Sequence, residues 1–173
     1  ELSPQSSTRE VILCGGVQIT KTTIAALGQA YYMDHAPKRV LFASASDGLI
    51  RKFRVDVLDP MIDAVRGLKE KFTTQSETSN RKGFSEKEVE YPGGSWHAAS
   101  AENEKKDFRQ VTKQIVFGDE IDGWKRSSAL EGKKWKLLMG RVAGFGRRYK
   151  VYAGSTPTSY EESEIWPLYL SGD

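Results

Sequence analysis

The stretch Val11-Ile12-Leu13-Cys14-Gly15-Gly16-Val17-Gln18-Ile19-Thr20-Lys21-Thr22-Thr23 constrains the fold more than any other part of the chain. Its first four residues suit a short buried strand, its glycines a turn, and Lys-Thr-Thr the opening of a helix. A glycine turn that ends on a helix N-terminus aims backbone N–H groups at an anion. In that layout Gly15, Gly16, Val17, Gln18, Ile19 and Thr20 form a phosphate cradle. Lys21 reaches the β/γ-phosphates of ATP, the Thr22 hydroxyl ligates Mg²⁺, and Thr23 stands beside them in the first turn. The pattern departs from G-x-x-x-x-G-K-[ST] at Thr20, which replaces the second glycine. A β-branched residue there either adopts an ordinary φ or carries strain of about 1–3 kcal/mol. The ordinary φ is expected.

A second element supports the first. Gln114-Ile115-Val116-Phe117-Gly118-Asp119-Glu120-Ile121-Asp122 is an apolar strand that ends in adjacent carboxylates. This is the layout of a Walker B strand, with Asp119 holding Mg²⁺ and Glu120 polarising the attacking water. Strand alternation is expected to point the two side chains to opposite sides. Asp122 reads as a helix cap. A third strand, Tyr149 to Gly154, runs into Ser155-Thr156-Pro157-Thr158, whose Ser155 and Thr156 hydroxyls are placed to sense the γ-phosphate. In an open α/β sheet such strand ends converge on one ligand-binding edge.

The segments between these motifs alternate. Residues 10–14, 39–44, 113–119 and 149–154 read as strands. Residues 21–34, 47–66 and 127–141 read as helices, the second capped by Asp47. Val89–Tyr91 and Ser95–Ala99 suggest two strands about a turn, and 73–87 a polar loop. The tail with Ile165, Trp166, Leu168 and Tyr169 suggests one packed turn. The expectation is a single three-layer α/β/α domain over 1–173, a P-loop NTPase of the RecA/ASCE type with a mainly parallel sheet.

Composition narrows the class. A chain of 173 residues with 38% hydrophobic and 28% charged residues can bury a real core. The formal charge of +3 is mildly basic and compatible with nucleic acid. Cys14 is the single cysteine, so no intramolecular disulfide and no cysteine-cluster metal site can form. No apolar run approaches a membrane span of roughly 20 residues, and no signal peptide is apparent. The chain starts at Glu1 without Met, and is expected to be the N-terminal part of a longer protein.

Taken in order, Gly16-x-Gln18-Ile19-Thr20-Lys21-Thr22, Asp119-Glu120-Ile121-Asp122 and Gly154-Ser155-Thr156-Pro157-Thr158 resemble the ATPase domain of phage terminase large subunits, in the lambda-type branch. The likeness covers nearly the whole chain. It implies an ATP- and Mg²⁺-dependent motor that packages double-stranded DNA into a procapsid. Its implied partners are a portal protein and a small terminase subunit, within a homo-oligomeric ring in the host cell cytoplasm, and a nuclease region would follow. Gln5, after Pro4, is placed to bond the adenine edge as a Q-motif does. Arg141, Arg147, Arg148 and Arg109 are candidates for an arginine finger or DNA contacts, with Arg141 and Arg109 the finger candidates. The rival readings are a superfamily 2 helicase-like translocase and a degenerate P-loop module that binds without hydrolysis.

Overall fold

Seven strands form one sheet in the spatial order β1-β7-β6-β2-β5-β4-β3. The structure is a computed structural model, and it describes residues 2–17, 20–78, 84–110, 112–124 and 134–172. The strands are β1 (Glu10–Cys14), β2 (Arg39–Ser44), β3 (Phe84–Ser85), β4 (Glu88–Tyr91), β5 (Gly94–Ser100), β6 (Ile115–Asp119) and β7 (Lys150–Ser155). The first five in spatial order pair in parallel, while β4 and β3 pair antiparallel. The helices are α1 (Lys21–Asp34), α2 (Asp47–Phe53), α3 (Asp59–Ala64), α4 (Arg66–Thr78), α5 (Glu104–Gln110), α6 (Lys134–Val142) and α7 (Ile165–Leu170).

Strand alternation sorts the core into two layers. Val40, Phe42, Ile115, Phe117 and Tyr152 pack with Ala25 and Ala26 of α1, Ile50 and Phe53 of α2, and Leu68 and Phe72 of α4. Leu41, Ala43, Val116, Val151 and Ala153 face the other way, onto Phe108 of α5, Trp135 and Leu138 of α6, and Ile165 of α7. Helices therefore cover both faces, and the three-layer expectation holds. Gly118 permits the close approach of α6: a Cβ there would stand 2.6 Å from the Trp135 ring.

Three local expectations are corrected. The helix begun at Asp47 does not run unbroken to Arg66. Ser46, not Asp47, is its cap, accepting a bond from the Leu49 N–H at 3.3 Å. A π-helical turn over Arg54–Leu58 then inserts a wider ring of hydrogen bonds. Beyond that turn Leu58 and Ile62 are buried and Val65 is exposed, while Leu49 before it is also exposed. The expected loop from Thr73 is helical to Thr78, because Leu68 and Phe72, one turn apart, dock the front of α4 on the core. Residues 127–133 of the helix expected over 127–141 lie outside the described residues, and α6 supplies the rest. Among the described residues no helix is long and apolar enough to cross a membrane.

Candidate active site

Parallel pairing brings the C-terminal ends of β1, β7 and β6 side by side. Cys14 faces Ser155 and Asp119 faces Gly154 across the ladders. The Gly15 N–H extends the first ladder by donating to the Ser155 carbonyl at 3.2 Å. The glycine turn thus leaves the sheet next to the third motif and beside the Walker B end. Gly16 and Val17 are exposed, Gln18 and Ile19 lie outside the described residues, and Thr23 is exposed in the first turn of α1.

Thr20 does not adopt an ordinary φ. It is left-handed, at φ 60 and ψ 13, and it forms the cap position of α1. The sequence expectation is overturned: Thr20 is the left-handed residue from which α1 starts, and the first helical bond, Ile24 N–H to Thr20 carbonyl, closes at 2.9 Å. Glu120 is also left-handed, at φ 48 and ψ 51. Among the described residues these two are the only non-glycine residues with positive φ. They flank the two motifs, and backbone strain of this kind concentrates at functional sites. The turn at Glu120 also corrects the expectation for the carboxylate pair. Asp119 and Glu120 diverge through this left-handed bend after β6, rather than through the pleat of a continuing strand.

Lys21 is 4% exposed and is the centre of the site. Its ammonium donates to the Gly16 carbonyl at 2.7 Å, to the Gly15 carbonyl at 3.4 Å and to the Thr156 hydroxyl at 2.9 Å. Glu120 lies 3.8 Å from the same nitrogen, and its other oxygen accepts the Thr156 backbone N–H at 3.3 Å. The Thr22 hydroxyl donates to Asp119 at 3.3 Å. Ser155 is fully buried, and its hydroxyl accepts the Asp122 N–H at 3.0 Å. Lys21, Thr22, Asp119, Glu120, Ser155 and Thr156 are therefore gathered on one sheet edge, from three separate stretches of chain.

The carboxylates differ in environment. Burial lifts the Asp119 carboxyl from 3.8 to about 6, the neighbouring Glu120 charge adds to this, and the Thr22 hydroxyl and Lys21 oppose it. A buried carboxylate held near a second one is stabilised by a cation. The Thr22 hydroxyl and Asp119 supply an oxygen pair suited to Mg²⁺, which takes one or two protein oxygens and completes its shell with water and phosphate. Among the described residues no group of three His, Cys, Asp or Glu side chains could hold a metal. That agrees with so sparse a protein donor set.

One supporting residue escaped the sequence reading. The buried Tyr152 hydroxyl donates to the Lys21 carbonyl at 2.9 Å and fixes the start of α1 to β7. Gly154 makes room for it, since a Cβ there would lie 2.8 Å from that oxygen. The signal was a lone hydroxyl-bearing ring two residues before a glycine, inside an apolar strand. Asp122 does cap a helix, as its position suggested, but a distant one. Its carboxylate accepts the Glu164 and Ile165 N–H groups at 2.8 and 2.7 Å and the Thr158 N–H at 2.9 Å. The Walker B end is thereby tied to α7.

Other candidates do not join the site. Gln5 is exposed and its amide oxygen accepts the Ser3 hydroxyl. Its segment is anchored at the opposite end of the sheet, where Lys150 donates to the Ser6 and Thr8 carbonyls and Tyr32 to the Leu2 carbonyl. The length of β1, about 16 Å, separates it from the glycine turn. Arg141 sits in the last turn of α6, which returns to the N-terminal edge before β7. Arg109 closes α5 in the same way before β6, and its side chain lies outside the described set. Neither position is near Lys21.

The family model of the phage terminase large subunit gpA ATPase domain matches residues 1–173. Among solved structures, the large terminase ATPase domain of Thermus phage P74-26 aligns with a TM-score of 0.60 at 14% identity, over 98% of this chain and 67% of that one. The large terminase of a second, thermophilic bacteriophage aligns at 0.55 with 13% identity, over 91% of this chain and 35% of that one. The same terminase in complex with ADP aligns at 0.52 with 12% identity, over 86% and 34%. This chain spans about two thirds of the P74-26 domain and about one third of the second terminase. At such identities the likeness establishes the fold alone. No curated protein matches the sequence.

Proposed function

Because this chain belongs to the family of ATPase domains of the phage terminase large subunit gpA, we propose that it hydrolyses ATP to drive double-stranded DNA into a procapsid. The observation that carries the reading is the hydrogen-bonded set Lys21, Thr156, Glu120 with Thr22 and Asp119 at one sheet edge. A fold neighbour in complex with ADP supports nucleotide binding by this chain.

The chain's own groups have distinct roles. The loop amides and the α1 N-terminus meet the phosphates. The Lys21 ammonium exchanges the Gly15 and Gly16 carbonyls for phosphate oxygens. Thr22 and Asp119 would hold Mg²⁺, whose charge would offset that of the phosphates. Glu120, released from Lys21 and the Thr156 amide, orients water for in-line attack. Thr156 touches both groups, so it registers whether Lys21 and Glu120 are engaged with nucleotide. Ser155 passes that state to Asp122 and α7. An arginine completing the site would come from a neighbouring subunit, which fits a homo-oligomeric ring; Arg109 and Arg141 are the candidates. Portal protein and small terminase subunit are its proposed partners, in the host cytoplasm.

The test compares Lys21→Ala with Glu120→Ala for nucleotide affinity and turnover. Loss of Lys21 removes a contact present in both ground and transition states, so binding and rate both fall. Loss of Glu120 spares binding and lowers turnover by about 10²–10⁴-fold. Equal affinities with equal residual rates in the two variants would contradict the assigned roles.

A further inference from the structure

Arginines of the described residues fall into two groups. Arg51 pairs with Glu86, Arg54 with Asp59 and Arg66 with Glu70. Arg9, Arg39, Arg141, Arg147 and Arg148 take part in no ion pair among the described residues. All five of the second group lie at one place in the fold. Arg9 immediately precedes β1, Arg39 opens β2, Arg147 and Arg148 precede β7, and Arg141 ends α6. Parallel pairing puts these positions on the N-terminal edge of the sheet, opposite the Lys21 site.

Four of them, Arg9, Arg39, Arg147 and Arg148, are exposed. Arg9 lies over the Tyr149 ring at 5.7 Å, beside the turn that carries Arg147 and Arg148. The carboxylate within this corner is Glu10, which accepts the Tyr149 hydroxyl at 2.7 Å. Further along, Glu88 and Glu90 of β4 face Lys113 and His97 instead. Among the described residues the opposite edge is acidic. Asp119, Glu120 and Asp122 follow β6, Asp47 follows β2, Glu102 follows β5, and Glu161, Glu162 and Glu164 follow β7. The lysines there among the described residues, Lys21, Lys87 and Lys134, are each paired with a carboxylate.

We propose that the exposed row Arg9, Arg39, Arg147 and Arg148 on this edge is the surface that holds the phosphate backbone of duplex DNA. Exposed guanidinium groups without carboxylate partners suit phosphate, while the acidic edge repels a polyanion. From Arg9 to Arg39 the row crosses three strand spacings, about 14 Å, enough to meet phosphates on both sides of a groove about 6–12 Å wide. The contacts are to backbone, so binding is independent of sequence. Strand β7 then carries the arginine turn at one end and Ser155 at the other. The inference rests on the reading of this chain as a DNA-packaging ATPase.

The test is anisotropy of a short fluorescent DNA duplex across a salt series. Variants are Arg147→Glu with Arg148→Glu, Arg39→Glu, and the milder Arg147→Gln with Arg148→Gln. Lys52→Glu with Arg66→Glu is a control of equal charge change on α2 and α4. The edge variants should lose about tenfold or more in affinity at moderate salt, and the salt slope should fall by about one for each phosphate contact removed. The control should bind as the unaltered chain does, and all should bind a fluorescent ATP analogue alike. Edge variants that bind DNA normally, or a control that loses as much, would overturn the inference. An unaltered chain that hydrolyses ATP yet binds no duplex would overturn it and leave the nucleotide reading standing. Unchanged DNA binding with loss of ATPase activity would assign the edge to a neighbour's nucleotide, and also overturn it.

Discussion

Asp119→Asn should make the fold more stable while ending Mg²⁺-dependent hydrolysis. Asp119 is 9% exposed and closes β6 beside Glu120. Its carboxyl titrates at about 6 in the fold, against an ordinary 3.8. The folded state therefore holds this proton more tightly than the unfolded chain does. The favourable contribution is complete below about 3.8, and it is lost as pH rises through about 6. At neutral pH the ionised group costs the fold about 3 kcal/mol, taking about 1.4 kcal/mol per pH unit. Asparagine keeps the size and can still meet the Thr22 hydroxyl, but carries no charge. Urea denaturation in chelator-containing buffer should find the variant more stable by about 2–3 kcal/mol at pH 7.5, with the gap closing toward pH 4. In thermal melts a gap of that size is several degrees, at about 2–4 °C per kcal/mol for a chain of this length. A variant no more stable than the unaltered protein at pH 7.5, or a gap that widens on acidification, would refute the argument.

Thr20→Gly should raise stability by about 1 kcal/mol, the left-handed cost of a β-branched residue partly offset by the greater freedom of unfolded glycine; because the φ of 60 already belongs to the fold, nucleotide affinity should change little, and tenfold tighter binding with an unchanged melting temperature would count against it. Asp122→Ala should release α7 by removing the acceptor of the Glu164, Ile165 and Thr158 N–H groups, seen as earlier proteolysis after β7 and a stability loss of about 1–3 kcal/mol; a variant as protease-resistant as the parent would show that the Ser163 hydroxyl, which accepts the Trp166 N–H at 3.0 Å, and core contacts alone hold the helix.

Much of the chemistry was legible in the linear order of residues. Phosphate cradles, Mg²⁺ oxygens and water-orienting carboxylates each need particular residue types at strand ends. Those types stand where apolar runs stop, at Gly15, Asp119 and Ser155. The same runs dictated a parallel sheet covered on both faces, because Val40 and Leu41 must each find an apolar partner on opposite sides. Local periodicity failed where the backbone broke its own period, at the π-turn of Arg54–Leu58. It also failed where docking of two residues, Leu68 and Phe72, carried a polar helix.

Sequence by itself determined which groups could do the chemistry; tertiary structure decided which of them meet. Gln5 lies sixteen positions before Lys21 and still ends up across the sheet, because β1 runs between them as an extended rod. Thr156 is 135 positions away from Lys21 and bonds it at 2.9 Å. The left-handed turns at Thr20 and Glu120 are likewise tertiary, since no local preference of Thr or Glu favours them. Packing over-determines both, and only a packed sheet can hold a buried lysine between two loop carbonyls, a hydroxyl and a carboxylate.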